Sequence, residues 1–301
     1  MAYAQAQVAR SLEEMTNKID SLDLSHKNLT KIPMKVFQYK NLKYLDLSNN
    51  QIGFLPKEIG KLKDLMDLCF INNQLISLPK EIGRLKKMKI LSFYGNKLTF
   101  LPKEINQWKE LEEIDLSNNK LTFLPKEISQ WKNLREIDLS NNKLTFLPRE
   151  ISQWKNLKEI ILNDNSFAIL PKEVWNLKYL KYLNLNNNKV KVLPKEIGNF
   201  ENLLYLDIVN NNLTFLPKEI GKLKKLIRLN LENNNIAILP KEITELKNLM
   251  DLHLKGTKIH YLPKDIGKLR SLEYLYLDDI LFSTNEKSRI KKLLPNCNIN
   301  F

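Results

Sequence analysis

The chain has 301 residues, 43% of them hydrophobic, which allows a large buried core and argues against global disorder. Lys and Arg outnumber Asp and Glu by 48 to 34, and the resulting net charge of +14 would by itself suggest an anionic partner such as nucleic acid. No apolar run is long enough to cross a membrane, and the two cysteines, Cys69 and Cys297, form neither a disulfide framework nor a metal-binding motif.

The N-terminal segment, residues 1–18, carries signals for export and for a cap. Residues 2–6 read Ala-Tyr-Ala-Gln-Ala, which contains the small-x-small pattern of signal-peptidase sites and favours an exported protein whose apolar stretch has been removed. The alternative is an ordinary flexible start to the chain. Ser11 and Glu14 have the spacing of a capping box ahead of an amphipathic stretch, which predicts a helical N-terminal cap.

Residues 19–271 consist of eleven consecutive units of 23 residues without an insertion. The unit reads L-x-x-L-x-L-x-x-N-x-L-x-x-L-P-x-x-I-x-x-L-x-x, and its positions are numbered from Leu42 as position 1. Lys27 and Thr257 replace the asparagine in the first and last units, where looser turns are expected. The prolines at position 15 are Pro33, Pro56, Pro79, Pro102, Pro125, Pro148, Pro171, Pro194, Pro217, Pro240 and Pro263.

Each recurring letter of the unit has a structural interpretation. The L-x-L alternation predicts a short strand whose leucines point inward and whose residues at positions 3 and 5 point outward. The asparagine at position 9 follows the strand, where its amide can bond to neighbouring backbone groups. The proline fixes φ where a return segment begins, and the apolar residues at positions 18 and 21 close the core in a short helical or 3₁₀ turn.

The unit resembles the leucine-rich-repeat family in its bacterial Leu-Pro-x-x-Ile form, and in particular the exported spirochaete leucine-rich-repeat proteins. The resemblance covers residues 19–271 and implies an α/β solenoid, a horseshoe with a concave parallel β-sheet and convex short helical or 3₁₀ turns, capped by a helix at each end. It also implies protein–protein recognition. Residues 272–301 are predicted to form a partial repeat and a C-terminal cap, in which Ser283 and Glu286 open a helix, Pro295 stops it and residues 298–301 add a last strand.

The charges are distributed unevenly around this predicted solenoid. At positions 3 and 5, which should line the concave face, every Asp, Glu, Lys or Arg except Arg228 is acidic. A phosphate backbone would be repelled there, so nucleic acid is not expected in the arc. The lysines belong to the convex segments, where a solvated face that keeps the solenoid soluble is the main interpretation and weak binding to anionic glycans or lipid head groups is the alternative.

Two groups of side chains are candidates for partner binding on the concave face. The first is acidic, and it is open to three interpretations: residues copied by duplication, a patch for a basic protein, or a site for a hard cation such as calcium. The second is rich in Tyr and Arg, which are enriched at binding hot spots, although exposed strand positions also favour Tyr for packing reasons. The candidates are Tyr44, Asp46, Glu113, Asp115, Glu136, Asp138, Glu159, Tyr182, Tyr205, Asp207, Arg228, Tyr274 and Tyr276.

Large apolar residues recur at two further positions. The tryptophans at position 21, Trp108, Trp131 and Trp154, are expected in the core. The residues at position 13 are expected to stack on one another and on the edge of the chain, and an exposed ridge is the alternative. The position-13 residues are Phe54, Phe100, Phe123, Phe146, Ile169, Val192, Phe215, Ile238 and Tyr261.

These features favour a binding protein over an enzyme. Catalysis needs singular residues that converge on one pocket, whereas these acids recur along an open face, and the three histidines cannot form one cluster. We therefore expect a monomeric, non-catalytic protein without cofactor or metal, which binds a protein of basic character on its concave face and is secreted or displayed at the cell surface. A cytoplasmic scaffold is the alternative.

Overall fold

The structure, a computed structural model, describes residues 8–16, 18–278 and 280–301. The Ala-Tyr-Ala-Gln-Ala pattern lies outside the described residues. The chain divides into two compact units, Met1–Asn156 and Leu157–Phe301. Among the described residues, no helix combines the length and apolar character that a bilayer crossing requires.

The first unit is a parallel sheet in which neighbouring strands pair in sequence order. Its strands are β1 (Val8–Ala9), β2 (Ser21–Asp23), β3 (Tyr44–Asp46), β4 (Asp67–Cys69), β5 (Ile90–Ser92), β6 (Glu113–Asp115) and β7 (Glu136–Asp138). A 3₁₀ helix follows each strand from β2 onward: Met34–Gln38, Lys57–Lys61, Lys80–Arg84, Lys103–Gln107, Lys126–Gln130 and Arg149–Gln153. From β2 onward, each residue pairs with the one 23 positions later, so equivalent side chains form columns.

The second unit has the same construction, with an α-helix before its last strand. Its strands are β8 (Glu159–Ile161), β9 (Tyr182–Asn184), β10 (Tyr205–Asp207), β11 (Arg228–Asn230), β12 (Asp251–His253), β13 (Tyr274–Tyr276) and β14 (Asn298–Asn300), paired in parallel and in order. Its 3₁₀ helices are Val174–Asn176, Lys195–Asn199, Lys218–Lys222, Lys241–Glu245 and Ile266–Lys268, and its α-helix is α1 (Thr284–Leu293). The predicted solenoid of parallel strands and short turns is confirmed.

The core of each unit is built from the repeated apolar letters. Leu45 and Leu47 of β3 are fully buried, and Ile59 and Leu62 close the same layer from the 3₁₀ side. The proline before each full-length 3₁₀ helix has extended backbone, as at Pro56 with φ −74° and ψ 155°, so the helix begins where a backbone donor is not needed.

The position-9 asparagines bond the turns of neighbouring repeats together. The Asn119 amide donates to the carbonyl oxygens of Phe93 at 2.9 Å and Leu116 at 3.0 Å. Its carbonyl oxygen accepts from the backbone N–H of Leu98 in the preceding repeat at 3.0 Å. Because the side chain is buried, these bonds satisfy backbone groups that water cannot reach. The predicted role of this asparagine is confirmed.

The three tryptophans at position 21 lie in the core of the first unit, as predicted. Their ring centroids are 6.2 Å apart between Trp108 and Trp131 and 6.4 Å apart between Trp131 and Trp154. Each indole N–H donates to a backbone carbonyl of the preceding repeat, for example from Trp131 to Ile105 at 3.1 Å. The larger ring therefore replaces leucine without leaving a buried donor unpaired.

The C-terminal cap forms as predicted. The Ser283 hydroxyl accepts from the backbone N–H of Glu286 at 3.2 Å and caps α1. The Glu286 carboxylate in turn accepts from the backbone N–H of Leu262 at 3.0 Å, which joins the helix to the last full repeat. β14 then pairs with β13 at the end of the sheet.

The predicted N-terminal helix is wrong for the residues that the structure describes. Val8 and Ala9 form a strand that extends the sheet beside β2. The Ser11 hydroxyl still accepts from the backbone N–H of Glu14 at 3.4 Å, but it closes a single turn. Ala9 before this turn and Met15 after it are both buried. Because only five residues separate them, the segment is too short to form a stable helix.

The expectation that the position-13 residues stack and are covered is also wrong. Their exposed fractions lie between 42% and 71%. The buried residues at positions 11 and 14, such as Leu121 and Leu124, fix the extended segment between them and turn Phe123 toward solvent. In each unit these side chains are exposed, in agreement with the alternative interpretation of an exposed apolar ridge.

Candidate functional site

The outward-facing residues at positions 3 and 5 of each repeat form a surface that we call the strand face. In the second unit it consists of two rows, because the strands pair in exact register at intervals of about 4.8 Å. The position-3 row is Glu159, Tyr182, Tyr205, Arg228, Asp251 and Tyr274, and the position-5 row is Ile161, Asn184, Asp207, Asn230, His253 and Tyr276.

An ion pair fixes the centre of this surface. The Arg228 guanidinium donates to both carboxylate oxygens of Asp207, from Nε at 3.2 Å and from Nη2 at 2.8 Å. Burial acts to lower the pKa of Arg228, but the hydrogen bonds and opposite charge of Asp207 outweigh it and raise the pKa above its usual value. Asp207 itself is buried, so it orients Arg228 and is not available to a partner in the way that the sequence suggested.

Two tyrosines extend the ordered region. The Arg228 guanidinium lies 5.4 Å from the centre of the Tyr205 ring, and the Tyr182 ring meets Tyr205 edge-on at 6.2 Å. The Tyr182 hydroxyl accepts from the Asn184 amide at 3.1 Å. Burial, with the nearby Asp207 carboxylate, raises the pKa of Tyr182 to about 12. The sequence-predicted residues of this region are therefore brought together and held in defined orientations.

A second aromatic cluster lies at the far end of the same face. The His253 ring stacks on Tyr276 with centroids 4.3 Å apart, and Tyr276 stacks on Tyr274 at 6.4 Å. His253 Nδ1 lies 3.0 Å from a carboxylate oxygen of Glu232. Tyr274 and Tyr276 were predicted from sequence, whereas His253 and Glu232 were missed. Their repeat positions, 5 and 7, place both on the predicted concave face and could have identified them.

The strand face of the first unit is acidic. Glu113 pairs in register with Glu136, and Asp115 with Asp138. Burial, together with the Glu136 charge, raises the pKa of Glu113, and burial also raises the pKa of Asp138. Glu159 lies in the second unit, in register with Tyr182.

The position-5 acids have a structural role. Asp46, Asp115 and Asp138 each accept a hydrogen bond from the backbone N–H two residues later, at 2.8 to 2.9 Å. Asn184 and Asn230 make the same bond at this position in the second unit. This local turn explains why the acids recur without invoking a ligand.

A half-buried polar cluster lies between β3 and β4. The Tyr44 hydroxyl donates to Asp46 at 3.2 Å, and the Cys69 thiol donates to Asp67 at 3.7 Å. Burial raises the pKa of Asp67 to about 6 and also raises the pKa values of Cys69 and Tyr44. Within the described part of the chain, no group of three or more His, Cys, Asp or Glu side chains is arranged to hold a metal ion.

The repeats match known families. The leucine-rich repeat region family matches residues 21–119 and 164–236, more than half of the chain, and a second leucine rich repeat family matches residues 109–167. The chain therefore belongs to the leucine-rich-repeat family, whose members are generally non-catalytic interaction modules. No curated protein matches it.

Solved structures give the same result. A leucine-rich-repeat protein of Leptospira interrogans is 34% identical, with 98% of this chain and 100% of that one covered and a TM-score of 0.55. The plant peptide hormone receptor RGFR1, solved in complex with RGF2, is 26% identical, with 92% and 54% covered and a TM-score of 0.72. An internalin of Listeria monocytogenes, 18% identical with 93% and 86% covered and a TM-score of 0.74, is similar in fold alone.

Proposed function

We propose that this chain binds a protein partner, without catalysis, through the strand face of its second unit. The observation that carries the proposal is the ordered centre of that face, where Arg228 is held by buried Asp207 and packs against Tyr205. Tyr and Arg side chains dominate binding hot spots, and side chains that are already ordered lose little conformational entropy when a partner arrives.

The charge of the surface favours a basic partner. On the strand face of the second unit Asp207 neutralises Arg228, and Glu159 and Asp251 leave the face net negative. A Lys or Arg side chain of the partner could meet carboxylates and tyrosine rings together. RGFR1, 26% identical to this chain, is a peptide hormone receptor solved in complex with RGF2, which supports a peptide as one form of partner.

We further propose that the protein is bacterial and exported, and that it acts as a monomer on a host or surface partner. The similarity to the Leptospira interrogans protein over nearly the whole chain supports the bacterial assignment. Fractionation of cells expressing the natural gene tests export: the protein in the medium or on the outer surface supports it, and a purely cytoplasmic protein favours a scaffold. Light scattering of the purified chain tests whether the protein is a monomer in solution.

The binding surface is tested with the double variant Tyr182→Ala/Tyr205→Ala. Purified wild type and variant are immobilised at equal density, and the proteins captured from host surface extracts are quantified. We expect the variant to lose most of the capture of any specific partner while its urea midpoint barely changes, because both rings are partly exposed. Phe123→Ser, on another surface, is the matched control and should capture normally. Equal capture by the double variant and the control would place the binding surface elsewhere.

A further inference from the structure

The exposed apolar column of the first unit is not used by the proposed function. It contains Phe54, Phe100, Phe123 and Phe146, with exposed fractions of 60%, 43%, 42% and 53%. They occupy repeat position 13, away from strand positions 3 and 5. Contiguous exposed aromatic surface is unusual on a soluble protein and marks an interaction site.

The fold itself does not require these phenylalanines. Ser77 occupies position 13 in the repeat between Phe54 and Phe100, and it is exposed as well. The next residue, Leu78, is buried just as Leu101 is in the following repeat. Burial of the leucine therefore holds this segment in place, and the identity of the preceding side chain is free to serve another purpose.

Exposed basic residues flank the phenylalanines on both sides along the chain. Lys97, Lys120 and Lys143 at position 10 precede them, and Lys103, Lys126 and Arg149 at position 16 follow them; all six are exposed. The repeats are held in register here, because the backbone N–H of Lys120 donates to Leu98 at 2.9 Å and that of Lys143 donates to Leu121 at 2.9 Å.

The charge of this surface is positive on balance. Glu104, Glu127 and Glu150 at position 17 are half-exposed, so each of these three repeats contributes two bases and one acid. Arg149 lies 3.5 Å from Glu150, an exposed pair that water screens. In each of these three repeats an exposed phenylalanine therefore lies along the chain between two exposed cations, and we call this surface the Phe–Lys face.

We propose that this Phe–Lys face docks on the surface of an anionic phospholipid bilayer. The phenylalanine rings enter the boundary between head groups and acyl chains, and the flanking lysines meet lipid phosphates and carboxylates. Long lysine side chains reach the head groups while their stems lie along the apolar region. Association with a second copy of the chain through this face is disfavoured, because it would bring the lysine columns of the two copies together.

The test is co-sedimentation of the full-length protein with vesicles. Vesicles of phosphatidylcholine alone are compared with vesicles that contain about 30% phosphatidylserine, an anionic lipid. We expect binding to the anionic vesicles only, and weakening when salt is raised to about 0.5 M. The triple variant Phe100→Ser/Phe123→Ser/Phe146→Ser should bind at least about ten-fold more weakly, since it removes most of the exposed aromatic area. Serine is the residue that the chain itself uses at this position.

Two controls separate this proposal from the protein-binding function. Tyr182→Ala/Tyr205→Ala should still bind anionic vesicles, and the triple Phe variant should still capture the protein partner. Circular dichroism and the urea midpoint of the triple variant should match the wild type. Absence of binding to anionic vesicles, or equal binding by the triple variant, would overturn the proposal. A dimer that the triple variant abolishes, without vesicle binding, would instead identify the face as a self-interface and also overturn it.

Discussion

Replacement of Asn119 by alanine tests how the repeats are held together. The side chain is buried, its amide donates to the carbonyl oxygens of Phe93 and Leu116, and its own carbonyl accepts from the backbone N–H of Leu98. Alanine removes all of these bonds, and the Leu98 N–H is left without its partner in a place that water does not reach. A buried unpaired donor costs about 1–3 kcal/mol, and each lost bond adds about 1 kcal/mol. With the unpaired Leu98 N–H and the two lost amide bonds, we expect the free energy of unfolding to fall by about 3–5 kcal/mol.

Asn119→Asp tests the hydrogen bonds that the side chain donates separately from the one that it accepts. The carboxylate keeps an acceptor for Leu98, but it faces backbone carbonyl oxygens where the amide used to donate. We therefore expect Asp to be at least as destabilising as Ala at pH 7. The surrounding carbonyls should raise the pKa of the new carboxyl in the folded state, so the stability of this variant should fall as pH rises above about 4 and recover as the pH is lowered.

The assay is urea unfolding followed by tryptophan fluorescence, since the buried tryptophans of the first unit report on the same repeats. Asn118→Gly is the matched control, because Asn118 is exposed with φ 53° and Gly95 occupies the equivalent position in the preceding repeat. The control should change stability by less than about 1 kcal/mol. A loss below about 0.5 kcal/mol for Asn119→Ala, or wild-type stability of Asn119→Asp at pH 7, would refute this account of the asparagine bonds.

Two further predictions concern buried carboxylates. Arg228→Met should destabilise the chain by about 2–3 kcal/mol in urea unfolding, because it leaves the Asp207 carboxylate buried without a counter-charge, and adding Asp207→Asn should recover most of the loss. The exposed pair of Arg135 and Glu112, 3.6 Å apart, is the control, and Arg135→Met should cost under about 0.5 kcal/mol. Asp67 has an ordinary pKa of 3.8 and a folded pKa of about 6, so its protonated form favours folding and this stability is lost as pH rises from about 4 to 6. Asp67→Asn should therefore be more stable than wild type at pH 7.5 by about 1–2 kcal/mol and not at pH 4, and an equal difference at both pH values would contradict the buried carboxylate.

The strand face was partly predictable from the repeat. Because position 3 of one repeat must lie beside position 3 of the next, sequence alone placed Tyr205 next to Arg228. It did not show that Asp207 is buried and bonded to Arg228, since that depends on side-chain rotamers and on the direction in which the guanidinium bends. His253 was missed for a related reason: its partners Glu232 and Tyr276 are 21 and 23 residues away, and only the stacked geometry makes them a cluster.

The sequence by itself determined the repeat architecture, because strict 23-residue spacing leaves one way to bury every leucine: consecutive units must stack in register. It also determined where the tryptophans and asparagines lie. The large apolar indole rings favour burial, and the asparagine amides bond to backbone groups at the turn that follows each strand. The tertiary structure alone decided which surfaces remain open. Phe123 is exposed because the buried residues Leu121 and Leu124 on either side of it set the direction of the chain between them. Val8 and Ala9 form an edge strand because the backbone of β2 offers hydrogen-bonding groups on that side. Both outcomes are fixed by contacts between segments and not by any local pattern.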